Sequence, residues 1–386
     1  MSYALVPGNR ITLLRSGVEY FPALEAAIRA ARREIYLESY LYEADETGWR
    51  ITNALADAAR RGVAVHVLVD GFGAKAMPPE MVQALARAGA ERLVYRPEIS
   101  PFRIRKYRLR RMHRKLVAID GAVAFVGGIN VIDDFGPDGR GPPRLDFAVR
   151  IEGPLLRPIQ EALQRLWTRV AWVRLHRRRR AKHRVQVDDA PKGAQAAAFV
   201  VRDNFRHRSD IEDAYLAAID AARDEILIAN AYFFPGTRFR RALLRAAGRG
   251  VRVTLLLQGK IEYTLQHYAS RALYGALLQS GVEIYEYHKS YLHAKVAVID
   301  GHWATVGSSN IDPFSLLLAR EANVVVEDRD FAAELRLALH AALEDGSLVI
   351  EGGRWFRLPL WRRIPMWVSY AIGRFIMGMV GFGGQV

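Results

Sequence analysis

Residues 113–120 read His-Arg-Lys-Leu-Val-Ala-Ile-Asp, and residues 293–300 read His-Ala-Lys-Val-Ala-Val-Ile-Asp. Both stretches run into an Asp-Gly turn, and both reach an asparagine at the same distance from their histidine, Asn130 and Asn310. A lone His-x-Lys arises easily by chance, whereas a matched pair of this length does not. The doubling therefore indicates an internal duplication whose two copies build one shared site.

Each copy predicts a short β-hairpin. Residues 116–119 and 122–126 are apolar, β-branched runs, and the Asp-Gly pair between them favours a tight two-residue turn. Such a turn would put His113 opposite Gly128 and His293 opposite Ser308. A small residue opposite each histidine leaves room for a substrate oxygen, so Gly128 and Ser308 are predicted to border a bound phosphate.

The groups that each hairpin presents suit a phosphodiester. Lysine and asparagine can hold non-bridging oxygens, while a histidine attacks phosphorus or protonates the leaving oxygen. One histidine cannot do both at once, and the duplication supplies the second. The predicted catalytic and phosphate-binding residues are His113, Lys115, Asn130, His293, Lys295 and Asn310.

Asp120 and Asp300 complete the two motifs and are counted with the catalytic residues on that ground. Each opens an Asp-Gly turn, however, where an aspartate side chain commonly closes its own local backbone. This position favours a structural role over a chemical one.

Two further acids are candidates for orienting the histidines. A reactive histidine needs its ring fixed through the nitrogen that does not react, commonly by a carboxylate. Asp146 and Glu321 each open an apolar strand at the matching place in the repeat. The change from Asp to Glu leaves the exact partner of His293 open. No acid or histidine cluster has the spacing of a metal site, so neither a metal nor another cofactor is expected.

These motifs together resemble the phospholipase D superfamily, and within it the bacterial cardiolipin synthases of the shorter type that lacks N-terminal transmembrane helices. The resemblance covers about residues 10 to 345. Besides the two His-x-Lys motifs, it rests on segments 35–42, 69–73, 111–115, 228–235 and 303–310.

The resemblance implies a phosphohistidine mechanism with His113 as nucleophile and His293 as general acid and then base. It further implies that the motif lysines and asparagines clamp the phosphate and that the two acids orient the histidines. The implied reaction joins two phosphatidylglycerol molecules into cardiolipin and releases glycerol, with no cofactor and no obligate protein partner.

Length and composition fit a duplicated α/β fold. A chain of 386 residues with 51% apolar content can bury two sizeable cores, and the lack of cysteine excludes disulfides. Alanine-rich helix–strand units recur throughout, for example at 26–35 and 217–226, which favours a largely parallel sheet in each half. The expected units are an N-terminal half at 1–190, a C-terminal half at 191–350 and a tail at 351–386.

The positive charge is concentrated in two runs. The net charge is +15, and residues 103–115 hold eight Lys/Arg while residues 174–184 hold seven. Such runs favour a polyanionic partner, either an anionic bilayer or nucleic acid. A nuclease or other phosphodiesterase on the same fold is therefore an alternative function, and a non-catalytic binder is a third. The acceptor of the transfer stays open among phosphatidylglycerol, phosphatidylethanolamine, glycerol and water.

The tail favours the bilayer over nucleic acid. It carries Trp355, Trp361 and Trp367, and Arg374 is the only charge between residues 365 and 382. That stretch is at the short limit for a membrane span, so we expect an interfacial or re-entrant anchor, with a core helix as the alternative. Because the N-terminus lacks an apolar leader, the expected location is peripheral, on the cytoplasmic face of the cell membrane, with anionic phospholipid as partner.

Overall fold

The computed structural model describes residues 3–97, 110–135, 141–173, 185–204 and 206–379. Residues 103–109 of the first basic run, all of the second run at 174–184, and residues 380–386 of the tail lie outside these ranges, so the predictions made on them stay predictions.

Both halves alternate strands and helices. The first half contains β1 Val6–Arg15, α1 Ser16–Ala30, β2 Glu34–Leu41, α2 Glu46–Arg60, β3 Ala64–Gly73, α3 Pro79–Arg87, β4 Glu91–Tyr95, β5 Lys115–Ile119, β6 Val123–Gly127, β7 Phe147–Glu152 and α4 Leu156–Val173. The second half and tail contain β8 Gln195–Arg202, α5 Asp210–Ala221, β9 Glu225–Asn230, α6 Thr237–Gly248, β10 Arg252–Gln258, α7 Thr264–Arg271, α8 Tyr274–Gln279, β11 Glu283–Tyr287, β12 Lys295–Ile299, β13 Trp303–Gly307, α9 Pro313–Leu317, β14 Glu321–Glu327, α10 Arg329–Glu344, β15 Ser347–Val349, α11 Gly352–Phe356 and α12 Leu360–Met379.

Local sequence sets the ends of several helices. Asp45 and Asp328 precede α2 and α10, and their carboxylates accept backbone N–H bonds from the first turn. After α2 and α6 the chain turns at Gly62 and Gly250, whose φ angles of 91° and 87° are costly for any residue with a side chain. Both helices therefore end just before these glycines.

Within the described residues the strands form one 15-stranded sheet in the order β15-β11-β10-β9-β12-β13-β14-β8-β1-β7-β6-β5-β2-β3-β4. The expectation of a largely parallel sheet was wrong. Only the outer strands β2–β3–β4 and β9–β10–β11 pair in parallel, because helices connect them. The central strands follow one another through short turns or reverse at the junction of the halves, so they pair antiparallel.

The core has three parts. One cluster lies under the outer helices of each half, and a third lies between the two halves. The third contains side chains of α4 and α10 together with strands from both halves, including Leu163, Leu335, Val149 and Val324. The two halves are thus packed on a common apolar layer, which fixes their relative position.

The catalytic hairpins differ from prediction in register. Ile119 pairs with Val123, and Ile299 pairs with Trp303, one residue later than a two-residue turn would allow. Asp120 and Gly121 have positive φ angles, 54° and 62°, as in a tight turn, but one more residue is taken up before the second strand begins. Gly128 and Ser308 therefore do not lie directly opposite the histidines.

Candidate active site

Backbone contacts between the halves position the two histidines. The segment containing His113 forms a bridge with the segment containing Arg320, and the His113 N–H donates to the Arg320 carbonyl at 2.9 Å. In the other half, the His293 N–H donates to the Leu145 carbonyl at 2.8 Å. Arg320 and Leu145 directly precede the two candidate orienting acids. Each histidine is thus placed beside the acid of the opposite half.

The histidine–acid pairs cross between the halves. His113 Nδ1 lies 2.9 Å from Glu321 Oε1, and His293 Nδ1 lies 2.6 Å from Asp146 Oδ2. The sequence left the partner of His293 open, and the structure gives it Asp146. Because Nδ1 of each ring faces a carboxylate, Nε2 is the nitrogen that can meet phosphorus or a leaving oxygen.

Gly128 and Ser308 support the acids. The Ser308 hydroxyl donates to Glu321 Oε2 at 2.5 Å, and Ser308 is fully buried. A Cβ on Gly128 would lie only 2.2 Å from Asp146 Oδ1, so the missing side chain makes room for that carboxylate. Both residues thus lie against the carboxylates of Asp146 and Glu321, and their bordering of a bound phosphate stays a prediction.

Two buried lysines lie beside the histidines. Lys115 Nζ donates to the His113 carbonyl at 2.6 Å, and Lys295 Nζ lies 2.8 Å from His293 Nδ1. Burial lowers the pKa of Lys115 to about 7 and that of Lys295 to about 8. A phosphate bound between them would favour their charged forms, so both are suited to receive an anion.

The histidines also favour their neutral forms. Burial is the main cause that lowers the pKa of His113, and it lowers the pKa of His293 to about 3. The lysine of each motif lowers the pKa of the other motif's histidine as well, so the two motifs act on one another. Conversely, Lys295 and His293 hold the pKa of Asp146 below its ordinary value despite burial.

The two asparagines are buried at the ends of the hairpins. Asn130 Oδ1 accepts the Leu41 N–H at 3.1 Å, which orients the side-chain amide and leaves its N–H groups for another acceptor. Asn310 Nδ2 makes a long contact, 3.5 Å, with the Ser315 hydroxyl. Phosphate binding by both asparagines stays a prediction.

Asp120 and Asp300 lie at the other end of the hairpins and make structural contacts. Asp120 accepts the backbone N–H groups of Arg32, Arg33 and Glu34 at 2.7, 2.8 and 2.9 Å. Asp300 accepts the three corresponding N–H groups before β9, each at 2.9 Å. Counting these aspartates as catalytic is thereby corrected. The expected closure of their own turn is replaced by a link to the preceding helix–strand connection.

The site contains two residues to which the sequence analysis gave no role. The Tyr40 ring lies 4.7 Å from the His113 ring and stacks on Phe72 at 5.7 Å. Asp70 is fully buried and accepts the Met112 N–H at 2.9 Å, which fixes the backbone just before His113. Both lie in segments that carried the family resemblance, but a single sequence does not show that those segments meet the motif.

Among the residues that the structure describes, no group of three or more His, Asp or Glu side chains is arranged to hold a metal ion.

Comparisons with known proteins agree with the duplicated site. A family model described as "Cardiolipin synthase, PLD-like domain" matches residues 24–134 and 215–341, one match in each half. Cardiolipin synthase B of Escherichia coli K12 is 44% identical over 334 residues, which cover 85% of this chain and 79% of that protein. Cardiolipin synthase B of Salmonella typhimurium is 38% identical over 389 residues, covering 97% and 90%.

A solved structure shares the fold. Phosphatidylserine synthase of Haemophilus influenzae aligns with a TM-score of 0.68 over 97% of this chain and 94% of that one, at 13% identity. At this identity the likeness concerns the fold alone, and it confirms the predicted α/β architecture with two halves.

Proposed function

This chain belongs to the phospholipase D-like cardiolipin synthase family, and on that premise we propose that it transfers a phosphatidyl group from one phosphatidylglycerol to a second, giving cardiolipin and glycerol. The observation that carries the proposal is the pair of histidines, each bonded through Nδ1 to a carboxylate of the opposite half. Such a pair supplies the nucleophile and the acid that a two-step displacement at phosphorus requires.

In the proposed first step, Nε2 of His113 attacks phosphorus and the bond to the glycerol oxygen breaks. His293 gives its proton to that oxygen, and glycerol leaves. In the second step, a hydroxyl of another phosphatidylglycerol loses its proton to His293 and attacks phosphorus, which breaks the bond to His113. The lowered pKa of His113 supports its role as a neutral nucleophile.

His293 has to be protonated for this cycle, although burial lowers its pKa to about 3. The negative charge of a bound phosphodiester favours the imidazolium form, and Asp146 already acts in the same direction. Substrate binding is thus proposed to raise the pKa of His293, so that this histidine takes up the proton used in the first step.

We place the enzyme peripherally on the cytoplasmic face of the membrane, held in part by α12. Met366 and Met377 of this helix pack into the core of the second half. Its other side exposes Leu360, Trp361, Ile364, Trp367, Val368, Ile372 and Phe375. In the described part of the chain, no helix is both long and apolar enough to cross a bilayer. A half-buried helix with an apolar outer face suits insertion at headgroup depth.

Arginines on α12 suit the same position. The Arg362 guanidinium lies 4.9 Å from the Trp361 ring centre, and that of Arg363 lies 5.1 Å from Trp367. Such pairs place an aromatic ring beside a cation that can meet lipid phosphate. A site held at this depth offers the covalent intermediate a lipid hydroxyl, which favours transfer over hydrolysis.

Purified protein incubated with phosphatidylglycerol vesicles tests the function. Lipid analysis should show cardiolipin and glycerol as the main products with little phosphatidic acid, and His113→Ala should form neither product. Single-stranded and duplex DNA should stay intact in the same preparation. DNA cleavage without cardiolipin would instead establish the nuclease alternative, and phosphatidic acid as the main product would establish a hydrolase.

A further inference from the structure

A second polar cavity lies where the two halves meet. Its volume is about 570 Å³, and its wall is formed by the C-terminal part of α4, by the end of β8 with the residues that follow, and by two arginines next to active-site residues. Neither histidine of the active site is among the described residues that line it. Six arginines line it: Arg114, Arg165, Arg169, Arg202, Arg206 and Arg320.

The arginines form a buried floor and an exposed rim. Arg114, Arg202 and Arg320 are the floor, with only 4%, 3% and 8% of their surface exposed. The rim consists of the exposed residues Arg165, Arg169 and Arg206. Long side chains can reach inward from the rim over any ligand that rests on the floor.

Carboxylates pair with some of these arginines, and Glu161 lies 3.2 Å from Arg165 on the rim. Glu38 binds Arg114 through both oxygens, at 2.5 and 2.9 Å. Asp203, the one acid among the described residues of the lining, accepts the backbone N–H groups of Arg206 and His207 at 3.0 and 3.2 Å. Within the described part of the chain, Arg320 forms no ion pair with a carboxylate, and its Nε donates to the Tyr95 hydroxyl at 3.3 Å.

The pKa of Arg202 reflects its burial and the charged groups around it. Burial is the main cause that lowers the pKa of Arg202 to about 10; Glu321 and Asp203 oppose the shift, whereas the guanidinium groups of Arg320 and Arg110 add to it. Several guanidinium groups buried near one another repel, and an anion placed between them would offset that cost.

We propose that this cavity is a second phosphate-binding site, separate from the one between the histidines. Guanidinium groups match phosphate oxygens in a bidentate manner, and three on the floor with three on the rim suit a phosphate group and the substituent attached to it. Small-molecule sites commonly measure about 300–1,000 Å³, so the cavity has room for a lipid headgroup or a free phosphorylated molecule.

A phosphate here would act on the active site through adjacent residues. Arg320 directly precedes Glu321, and its carbonyl accepts the His113 N–H at 2.9 Å. Arg114 directly follows His113. Holding both guanidinium groups on one anion would restrain the two segments that carry His113 and its carboxylate.

The binding test uses the full chain and a variant in which two rim charges are reversed, Arg169→Glu/Arg206→Glu, called the rim variant. The control is Arg33→Glu/Arg87→Glu, which makes the same charge change at two exposed sites outside the cavity. Calorimetric titration with inorganic phosphate and with pyrophosphate should find two binding equivalents in the parent and in the control, and one in the rim variant. The same number of equivalents in the parent and in the rim variant would overturn the proposal, whatever the number found at the histidines.

Kinetics in neutral mixed micelles then identify the source of the phosphate. If a lipid headgroup occupies the cavity, the rim variant should show at least a tenfold higher KM for phosphatidylglycerol, with unchanged hydrolysis of a short soluble phosphodiester. If a free phosphorylated molecule occupies it, KM should stay the same and added phosphate should alter the rate of the parent but not of the variant. The titration does not require the proposed transfer activity, so failure of one proposal is distinguishable from failure of the other.

Discussion

Each of the two histidines is paired with a carboxylate, but the residues that form the two pairs differ. Glu321 reaches His113 and is held by the Ser308 hydroxyl, whereas the shorter Asp146 reaches His293 beside Gly128. The longer acid, Glu321, occurs with a serine at position 308. The shorter acid, Asp146, occurs with a glycine at position 128. The acid and its small neighbour thus vary as a pair between the halves.

Replacing the acids tests the crossed pairing. Glu321→Gln and Asp146→Asn should each lower the transfer rate severely, because the change from acid to amide in a Ser-His-Asp enzyme costs about 10⁴-fold. Nitrogen NMR of labelled histidine provides the positional readout. Glu321→Gln should shift the ring signals of His113, and Asp146→Asn should shift those of His293.

Asp120→Asn is the matched control for those variants. It removes a charge from the same motif, but within the described residues its carboxylate accepts backbone N–H groups at the start of β2 and just before it. Asp120→Asn should lower the urea midpoint of unfolding, while the transfer rate per folded molecule should change little. Full activity of both acid variants, or a ring shift at the wrong histidine, would contradict the crossed arrangement.

Lys115 should make stability depend on pH. Burial lowers its pKa to about 7 in the folded chain, against an ordinary value of 10.5 in the unfolded chain. Between these values the unfolded chain binds more protons, so stability rises with pH, by about 1.4 kcal/mol per pH unit for one proton. Urea unfolding from pH 7 to 9.5 should show a smaller rise for Lys115→Met than for the parent. Equal slopes would mean that Lys115 keeps an ordinary pKa.

At the scale of elements, helix α12 has two different sides. Met366 packs into the core, whereas Trp361 and Phe375 are 66% exposed. Trp361→Glu/Phe375→Glu should therefore weaken sedimentation with anionic liposomes by at least about tenfold, since each large apolar side chain contributes about 1.5–3 kcal/mol on burial. Hydrolysis of a short soluble phosphodiester should stay unchanged.

Leu337→Glu is the control for α12. Leu337 is 68% exposed on α10, so the change adds charge to an exposed apolar position on another helix. Equal liposome binding by the α12 variant and this control would mean that the exposed face of α12 does not bind the membrane. Deletion from Trp355 onward is a poorer test, because Trp355 is buried against Tyr274.

Sequence periodicity predicted the elements better than their pairing. The repeated helix–strand units and both hairpins were predicted from local patterns, since turn residues and apolar spacing are local properties. The hairpin register was not, because the extra residue after Gly121 has no distinct local signal. The antiparallel centre of the sheet was missed for a similar reason: strand direction depends on which strands meet, and that is set by packing between the halves.

At the scale of the whole molecule, the site is assembled from both halves of one chain. His113 uses Glu321 and His293 uses Asp146, so neither half contains a complete pair. A mixture of His113→Ala and His293→Ala chains should therefore show only the summed residual activity of the two variants. Vesicle assays of the mixture against each variant check this. Recovery of a substantial part of the parent activity would mean that halves exchange between chains.

The residues of the site were predicted more fully than their arrangement. The histidines, lysines and both acids were found because the duplication marks them twice. Tyr40, Asp70 and the arginine-lined cavity were missed because each depends on segments distant in sequence. Arg114 and Arg320, for example, lie on different halves and meet only in the folded chain.

The continuous sheet limits how substrate can enter. Strand β8 pairs with β14 through seven residue pairs and also with β1, so backbone hydrogen bonds cross from one half to the other. Moving one half away from the other to separate the two histidines would break the β1–β8 pairing and open the shared apolar layer. For the proposed lipid substrate, we therefore expect the headgroup to reach histidines whose spacing the sheet holds constant, without a hinge motion of one half against the other.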